Sequence, residues 1–124
     1  MTSLSFEGDF NTGAYASWGP TVADRVPIHC SGPYFVPNIL AKTRALLTNG
    51  PPSGAFRGFG VPQSAIAHEA LMDSLAEQTG IDPLEFRLKN ALRKGQRTGS
   101  GQLLENSVGP VSYTHLTLPT TTIV

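Results

Sequence analysis

The stretch VPQSAIAHEALMDSLAEQTGIDPLEFRLKNALRKG, residues 61–95, decides the fold because it carries the signals of two consecutive helices. Pro62 suits a first helical position, and Gly80 is a natural helix stop. Asp82-Pro83-Leu84-Glu85 forms a capping box, and Gly95 follows the next apolar stripe. We therefore predict helices over 62–79 and 83–94. The apolar face of the first helix comprises Ile66, Ala67, Ala70, Leu71, Ser74 and Leu75.

The segments before these helices carry the signals of short strands. Residues 38–48 (NILAKTRALLT) alternate apolar and polar side chains, which predicts a strand, with a helix as the alternative. Residues 3–19 are expected to hold a short extended segment, a turn at Asp9–Gly13 and a second short extended segment. A short helical turn is expected around Thr21–His29, ended early by Pro27. The order of short strands, a long loop and two helices indicates an α+β fold.

The charge balance of the chain argues against general binding of nucleic acids or membrane surfaces. The 124 residues include nine basic and nine acidic ones, so the formal net charge is zero. General binders of nucleic acids or membrane surfaces usually carry a basic excess. A single cysteine excludes an internal disulfide framework. Because no secretory signal opens the chain and no apolar run approaches the ~20 residues of a membrane span, we expect a cytoplasmic protein with no nucleic-acid or membrane partner.

A long loop, TNGPPSGAFRGFG at residues 48–60, precedes the helices and shows no periodicity. Long loops inside small domains are often functional. The glycines let another group approach the main chain closely, and Arg57 offers donors for an oxyanion. The glycine spacing fits neither the dinucleotide fingerprint nor the P-loop, so the loop predicts only anion binding ahead of a helix.

Two other interpretations of this loop stay open at this point. Arg57-Gly58-Phe59-Gly60 matches the opening of the RNP1 motif, which would make the chain a small RNA-binding module that uses Arg57 and Phe59. Alternatively, the loop is a glycine-rich turn whose two phenylalanines pack in a core.

The histidines and the cysteine give no metal-site pattern. His29 and Cys30 are adjacent and therefore do not suit one metal ion, and no second cysteine accompanies them. Cys30 is expected to be a small buried hydrophobic residue. His68 is expected to be a surface or hydrogen-bonded histidine of the first predicted helix.

Residues 111–124 (VSYTHLTLPTTTIV) differ in composition from the rest, being rich in threonine and free of Asp, Glu, Lys and Arg. The codons GTC TCT TAT ACA CAT CTG ACG CTG CCG ACG would encode VSYTHLTLPT, and that string resembles a transposase adapter used in sequencing libraries. A threonine-rich strand or tail is the alternative. We expect residues 1–110 to be native and residues 111–124 to be translated adapter, so that His115 carries no function.

Several stretches share their order and spacing with one known family. They are GAYASWGP (13–20), SGPYFVPNI (31–39), GAFRGFGVPQ (54–63), GIDPLEFRLKNAL (80–92) and GQLLENSVG (101–109). Together they resemble the molybdenum-binding subunit of the molybdenum hydroxylases, the xanthine dehydrogenase and aldehyde oxidase family, over residues 4–110. The resemblance implies part of a molybdopterin-binding catalytic domain. It also implies an enzyme that oxidises a purine, another nitrogen heteroaromatic or an aldehyde with oxygen taken from water.

The same resemblance implies cofactors, partners and site residues. The implied cofactor is molybdopterin, with its cytosine dinucleotide form as one option. The implied partners are domains or subunits that carry 2Fe-2S clusters and FAD within a larger oligomer. Phe56, Arg57 and Gly58 match the cofactor-binding loop, in which the main chain of Arg57 contacts the molybdenum site. Phe59 matches the aromatic residue beside the substrate ring. Arg25 matches an arginine that contacts substrate oxygens, and a surface arginine paired with a neighbouring carboxylate is the alternative.

The chain also departs from the family pattern. The family's general base is a glutamate in a glycine-rich motif far toward the C-terminus, and that motif is missing here, while Glu105 lies in a different context. No catalytic residue is therefore assigned. Met1 is expected to be an internal methionine of a longer protein. We expect the chain alone to have no turnover, and an inert truncated product is the remaining alternative.

Overall fold

The computed structural model describes residues 1–106, 108 and 109. Its elements are β1 (Ser3–Gly13), α1 (Gly19–His29), β2 (Asn38–Leu47), α2 (Val61–Thr79) and α3 (Pro83–Asn90). The predicted α+β class is confirmed, as are β2 and α2. The predicted order of strands, loop and two helices is confirmed, and the short helical turn expected around Thr21–His29 is a full helix between the strands. Residues 111–124, assigned above to an adapter, lie outside the described residues.

The two strands form a parallel sheet, paired from Ser3 with Asn38 to Gly13 with Leu47. The turn predicted at Asp9–Gly13 is wrong, since these residues continue β1, and turns at 14–18 replace the second extended segment. Arg44 lies opposite Asp9, with its Nε 2.6 Å from the carboxylate. The continuous pairing of these residues with β2 outweighs the turn preference of Asp, Asn and Gly.

α1 contains Pro27, so the helix end expected at that proline is also wrong. A proline inside a helix leaves the carbonyl of residue i−4 without its usual N–H donor. That carbonyl belongs to Ala23, and it accepts a hydrogen bond of 3.0 Å from the hydroxyl of Thr43 on β2. The neighbouring strand thus replaces the missing hydrogen bond and lets the helix continue to His29.

The sheet and α1 pack against each other as two layers. Alternate residues of β1 and β2 are half-buried, and the residues between them are exposed. α1 packs on the half-buried face with its own buried residues Val22, Ala23 and Val26. The other face is exposed and mostly polar, with Leu40 and Leu46 among its residues, and Arg44 bridges Asp9 and Glu7 there. Only one face of this two-stranded sheet therefore contributes to the core.

α3 begins as predicted and ends earlier than predicted. The Asp82 carboxylate accepts hydrogen bonds from the N–H groups of Leu84 and Glu85, which caps the helix. The expected end at residue 94 is wrong, because the chain becomes extended at Ala91 and forms a bridge with Tyr34. The N–H of Leu92 donates to the carbonyl of Pro33 at 2.9 Å. Pairing with the segment before β2 therefore ends the helix.

α2 buries a different face from the predicted one. Ser64, Met72 and Ala76 are buried, and Met72 and Ala76 pack with Tyr34 and Phe86 in a small core. On the predicted face, Ile66 is 74% exposed and Leu71 37% exposed. Tyr34 and α3 pack on the side that is buried, so the side with more apolar residues stays open. No helix of the described part of the chain is long and apolar enough to cross a membrane.

Candidate functional site

The loop at residues 48–60 is attached to the end of β1 by several hydrogen bonds. The N–H of Thr48 donates to the carbonyl of Gly13 at 2.9 Å, and the N–H of Ser53 donates to that of Thr12 at 3.0 Å. The Ser53 hydroxyl donates to the carbonyl of Asn11 at 2.6 Å. The loop therefore lies at the carboxyl edge of the parallel pair, which is where open parallel sheets commonly bind ligands.

The end of this loop is a turn at residues 57–60 with three consecutive positive φ angles. The φ values are +97° at Gly58, +47° at Phe59 and +94° at Gly60. The N–H of Phe59 donates to the carbonyl of Phe56 at 3.0 Å. Glycine adopts such angles at little cost, but an aromatic residue does so only when its surroundings hold it there. The turn thus places the Phe59 side chain in a defined position.

Gly60 joins the loop to α1 through a close backbone contact. A β-carbon built on Gly60 would lie 2.5 Å from the carbonyl oxygen of Val22 and 2.9 Å from the Val26 side chain. Only glycine leaves room for this approach. Gly60 is also the residue that precedes the first residue of α2. The turn therefore leads directly into the N-terminus of α2 and packs against the body of α1, and helix N-termini favour anionic groups.

The structure brings the two predicted substrate-contact residues together. The guanidinium carbon of Arg25 lies 6.0 Å from the centre of the Phe59 ring, which is a cation–π distance. Trp18 packs against the same ring in an edge-to-face arrangement, with 6.3 Å between centroids. Within the described residues, Arg25 forms no ion pair with Asp24, so the carboxylate-paired alternative lacks its partner. The substrate role of both residues stays a prediction.

The predicted cofactor-binding residues lie on the solvent-exposed side of the loop. Phe56 is 81% exposed, and Arg57 and Gly58 are exposed too. The interpretation of the loop as a turn with both phenylalanines in a core is therefore wrong for Phe56. Among the described residues, the N–H groups of Arg57 and Gly58 donate to no carbonyl. These free main-chain donors, in the turn that leads into α2, fit an oxyanion-bearing group such as molybdopterin.

A small cavity of about 110 Å³ lies behind the loop. Its polar lining includes Asn11 of β1, Ser53 of the loop and Gln63 in the first turn of α2. At ~30 Å³ per water, this space suits a few water molecules and is too small for a pterin. A cofactor would therefore lie on the exposed side of the loop, on the side of Phe56 and Arg57.

Two other sequence interpretations lose their structural basis. The RNP1 motif requires a strand, whereas residues 57–60 form a turn that leads into α2. No cluster of three or more potential metal-ligating side chains occurs in the part of the chain that the structure describes. Cys30 is 1% exposed, which confirms its expected burial. Burial raises the pKa of its thiol, so that the less nucleophilic protonated form is favoured.

A polar cluster away from the loop joins α2 to α3. Its members are Tyr34, His68, Glu69, Asp73 and Arg87. The Tyr34 hydroxyl donates to Glu69 at 2.8 Å, and burial together with this carboxylate raises the pKa of Tyr34. Arg87 donates to Glu69 at 3.0 Å and to Asp73 at 2.7 Å. Burial alone would lower the pKa of Arg87, but the two carboxylates outweigh burial and raise it. The cluster thus holds a charged group at the helix interface.

His68 is the member of this cluster with the poorest hydrogen bonding. Its Nδ1 is buried and has no partner in the described structure, and its Nε2 lies 3.4 Å from Glu69. Its ring packs edge-on against Tyr34, with 6.1 Å between ring centroids. Burial lowers the pKa of His68, and the charge of Glu69 only partly opposes that effect. The neutral imidazole is therefore the favoured form.

Sequence reasoning did not single out Trp18, and it expected only a short helical turn where α1 follows. Trp18 is the only tryptophan of the chain, and it is followed by Gly19 and by Pro20, a residue common in the first helical turn. An isolated tryptophan just before a helix start could have marked this position. Its contact with Phe59 could not have been read from the sequence, because it joins segments far apart in the chain.

Residues 1–91 match the family described as "Molybdopterin cofactor-binding domain". The chain therefore belongs to the molybdopterin cofactor-binding domain family, as its sequence motifs indicate.

Curated relatives and a solved structure agree with this family. The chain is 52% identical over 99 residues to the nicotinate dehydrogenase large molybdopterin subunit of Eubacterium barkeri, covering 80% of this chain and 23% of that subunit. It is 43% identical over 103 residues to the aldehyde oxidoreductase of Megalodesulfovibrio gigas, covering 82% of this chain and 11% of that protein. The structure of aldehyde oxidoreductase from Desulfovibrio gigas superposes with a TM-score of 0.83 at 36% identity, covering 95% of this chain and 13% of that one. The chain thus spans less than a quarter of the length of each of these proteins.

Proposed function

We propose that this chain is part of the catalytic subunit of a molybdopterin-dependent hydroxylase. The observation that carries the proposal is the turn at residues 57–60, which presents free main-chain donors beside a fixed Phe59 ring and the Arg25 guanidinium. The N–H groups of Arg57 and Gly58 would hold oxygen atoms of the cofactor, and the exposed Phe56 would cover one side of it. Bound molybdopterin would supply two-electron redox chemistry at molybdenum.

The proposed substrate is a pyridine carboxylate of the nicotinate kind, with a purine or an aldehyde as the alternatives. A ring can stack on Phe59, and a carboxylate or ring oxygen on that substrate can accept hydrogen bonds from Arg25. The 52% identity to a nicotinate dehydrogenase subunit supports this choice. In the net reaction, a substrate C–H and water give C–OH, two protons and two electrons. The electrons pass to 2Fe-2S and FAD groups of other domains or subunits.

The proposal is tested on the longer subunit that contains this chain, produced together with its electron-transfer partners. We expect molybdenum in the purified protein and incorporation of ¹⁸O from labelled water into hydroxylated nicotinate. Phe59→Ala is expected to lower kcat/KM for nicotinate at unchanged molybdenum content. A purified protein without molybdenum and without activity on nicotinate, xanthine or an aldehyde would contradict the proposal.

The main-chain role of the loop is tested with a pair of glycine variants. In Gly58→Ala the new β-carbon would lie 2.7 Å from the Pro62 ring at a φ of +97°, so the turn must change. Gly101 has a similar φ of +88° and no atom within 4 Å, which makes Gly101→Ala the matched control. We expect molybdenum content to fall only in the first variant. The isolated chain 1–110 is expected to have no turnover, since the proposed reaction also needs a general base that this chain does not supply.

A further inference from the structure

The Phe59 ring is in contact with two residues of one helix face. Trp18 immediately precedes α1, and Arg25 lies two helical turns further along, so both project from the same side of the helix. The Trp18 and Phe59 rings are inclined by 85° at a centroid distance of 6.3 Å, and the Arg25 guanidinium carbon lies 6.0 Å from the Phe59 centroid. The orientation of the Phe59 ring is therefore set by α1 as well as by its own loop.

Both sides of the Trp18–Phe59 contact are built on unusual backbone. Phe59 has a φ of +47°, and Ser17, which precedes Trp18, has a φ of +42°. They are the two residues other than glycine with positive φ in the described part of the chain. Such conformations persist only where neighbouring contacts hold them. The close approach of Gly60 to Val22 fixes the distance between the two segments.

Trp18 is not a core residue. It is 59% exposed, although indole is the largest apolar side chain and is usually more buried than this. The exposed part of its ring extends the aromatic surface that Phe59 begins. A large exposed aromatic surface beside an open loop is typical of a binding site.

We propose that Trp18 is a positioning residue for Phe59 that makes the site selective for flat aromatic substrates. This inference rests on the function proposed above. The edge of one ring against the other restricts the tilt of Phe59, so a flat substrate meets a surface that is already oriented. A small aliphatic aldehyde has no ring to stack and gains nothing from this restriction.

The test uses the complete molybdenum-loaded enzyme and compares Trp18→Ala, Trp18→Phe and the control Tyr15→Ala. Tyr15 is 71% exposed and lies in the same connecting segment, so its loss removes a comparable exposed ring. The measurements are kcat and KM for nicotinate and for acetaldehyde, molybdenum content, and the calorimetric Kd of a flat non-reactive pyridine carboxylate. Trp18→Ala is expected to raise the Kd and the nicotinate KM about tenfold at unchanged molybdenum content. Its kcat and KM for acetaldehyde should stay unchanged. Trp18→Phe should largely restore the wild-type Kd and nicotinate KM.

Two results would overturn the inference while leaving the proposed function intact. One is a wild-type enzyme that hydroxylates nicotinate and in which Trp18→Ala behaves like Tyr15→Ala. The other is an equal loss on nicotinate and acetaldehyde together with lost molybdenum, which would indicate a purely structural role. A wild-type protein without molybdenum and without activity would overturn both the inference and the proposed function. The molybdenum content of the wild-type protein separates that case from the other two.

Discussion

A β-carbon on Gly60 would lie 2.5 Å from the carbonyl oxygen of Val22, so the end of the loop and the backbone of α1 are in direct contact. No side chain lies between the two backbones, so no change of rotamer could relieve a clash there. It connects the carboxyl end of the loop to the helix that carries Arg25 and follows Trp18. The geometry of the candidate site therefore depends on a residue that contributes no side chain to it.

Gly60→Ala is expected to displace the loop from α1. The substitution adds a backbone clash to the strain of a φ of +94°, and together they should cost about 2 kcal/mol or more in stability. Gly95→Ala is the control, because Gly95 has a φ of +86° with no atom within 4 Å. Denaturant unfolding of the complete subunit measures both. Equal destabilisation by the two variants would show that strain alone matters and that the contact with Val22 does not.

Tyr34→Phe is expected to destabilise the protein by about 2 kcal/mol, because it removes a hydrogen bond to a carboxylate. Tyr34 is 5% exposed, so its hydroxyl depends on Glu69 as its partner, whereas Glu69 is 40% exposed and keeps Arg87. Tyr15→Phe removes a hydroxyl from a residue that is 71% exposed and should change stability by less than about 0.5 kcal/mol. Thermal unfolding of the same subunit compares the two. A Tyr34→Phe protein as stable as the Tyr15→Phe protein would contradict this assignment.

Local signals in the sequence were sufficient for several elements. α2 and the start of α3 were predicted because Pro62, Gly80 and Asp82 act within their own turns. β2 followed from its alternation. The loop with Arg57 and Phe59 stood out because glycine, arginine and phenylalanine in one aperiodic segment suit a binding surface better than a core.

The errors all involve partners distant in sequence. α1 continues through Pro27 because Thr43 replaces a lost donor, and α3 ends early because Ala91 forms a bridge with Tyr34. Parallel pairing with β2 keeps Asp9 in a strand. The intrinsic preferences of residues within one segment do not predict these contacts. For the same reason the proximity of Arg25 and Phe59 became visible only in the structure, while the resemblance had indicated the two residues separately.

Arg87→Met is expected to weaken the α2–α3 interface. Arg87 donates to both Glu69 and Asp73 and is 21% exposed, while the two carboxylates are 40% and 65% exposed, so its loss should cost about 1 kcal/mol. Arg44→Met is the matched control, since Arg44 also contacts two carboxylates but is 63% exposed on the open face of the sheet. Exposed ion pairs contribute little, so this variant should unfold like the wild type. The same denaturation midpoint for both variants would refute the distinction.

His68 is expected to make the protein less stable as the pH falls. Its pKa is lowered by burial in the folded state, so the unfolded chain, with a histidine pKa of about 6.5, takes up the proton first. The free energy of unfolding should therefore decrease below about pH 6.5, by at most about 1.4 kcal/mol per pH unit, until the folded state also binds the proton. Glu69, the Ser64 backbone and the Tyr34 ring face the imidazole, and the first two limit the effect because both raise the pKa of His68. Above pH 7 this contribution disappears, because neither state is protonated.

The measurement is the change in denaturation midpoint between pH 7.5 and 5.5 for the wild type, His68→Gln and the control His29→Gln. His68→Gln removes the titrating group, so its midpoint should change less with pH than that of the wild type, whatever its absolute stability. His29→Gln should keep the wild-type dependence, because His29 lies in the last turn of α1 and outside the cluster. If His68→Gln keeps the full pH dependence, another group causes it, and the buried Nδ1 without a partner has no effect on stability in this range.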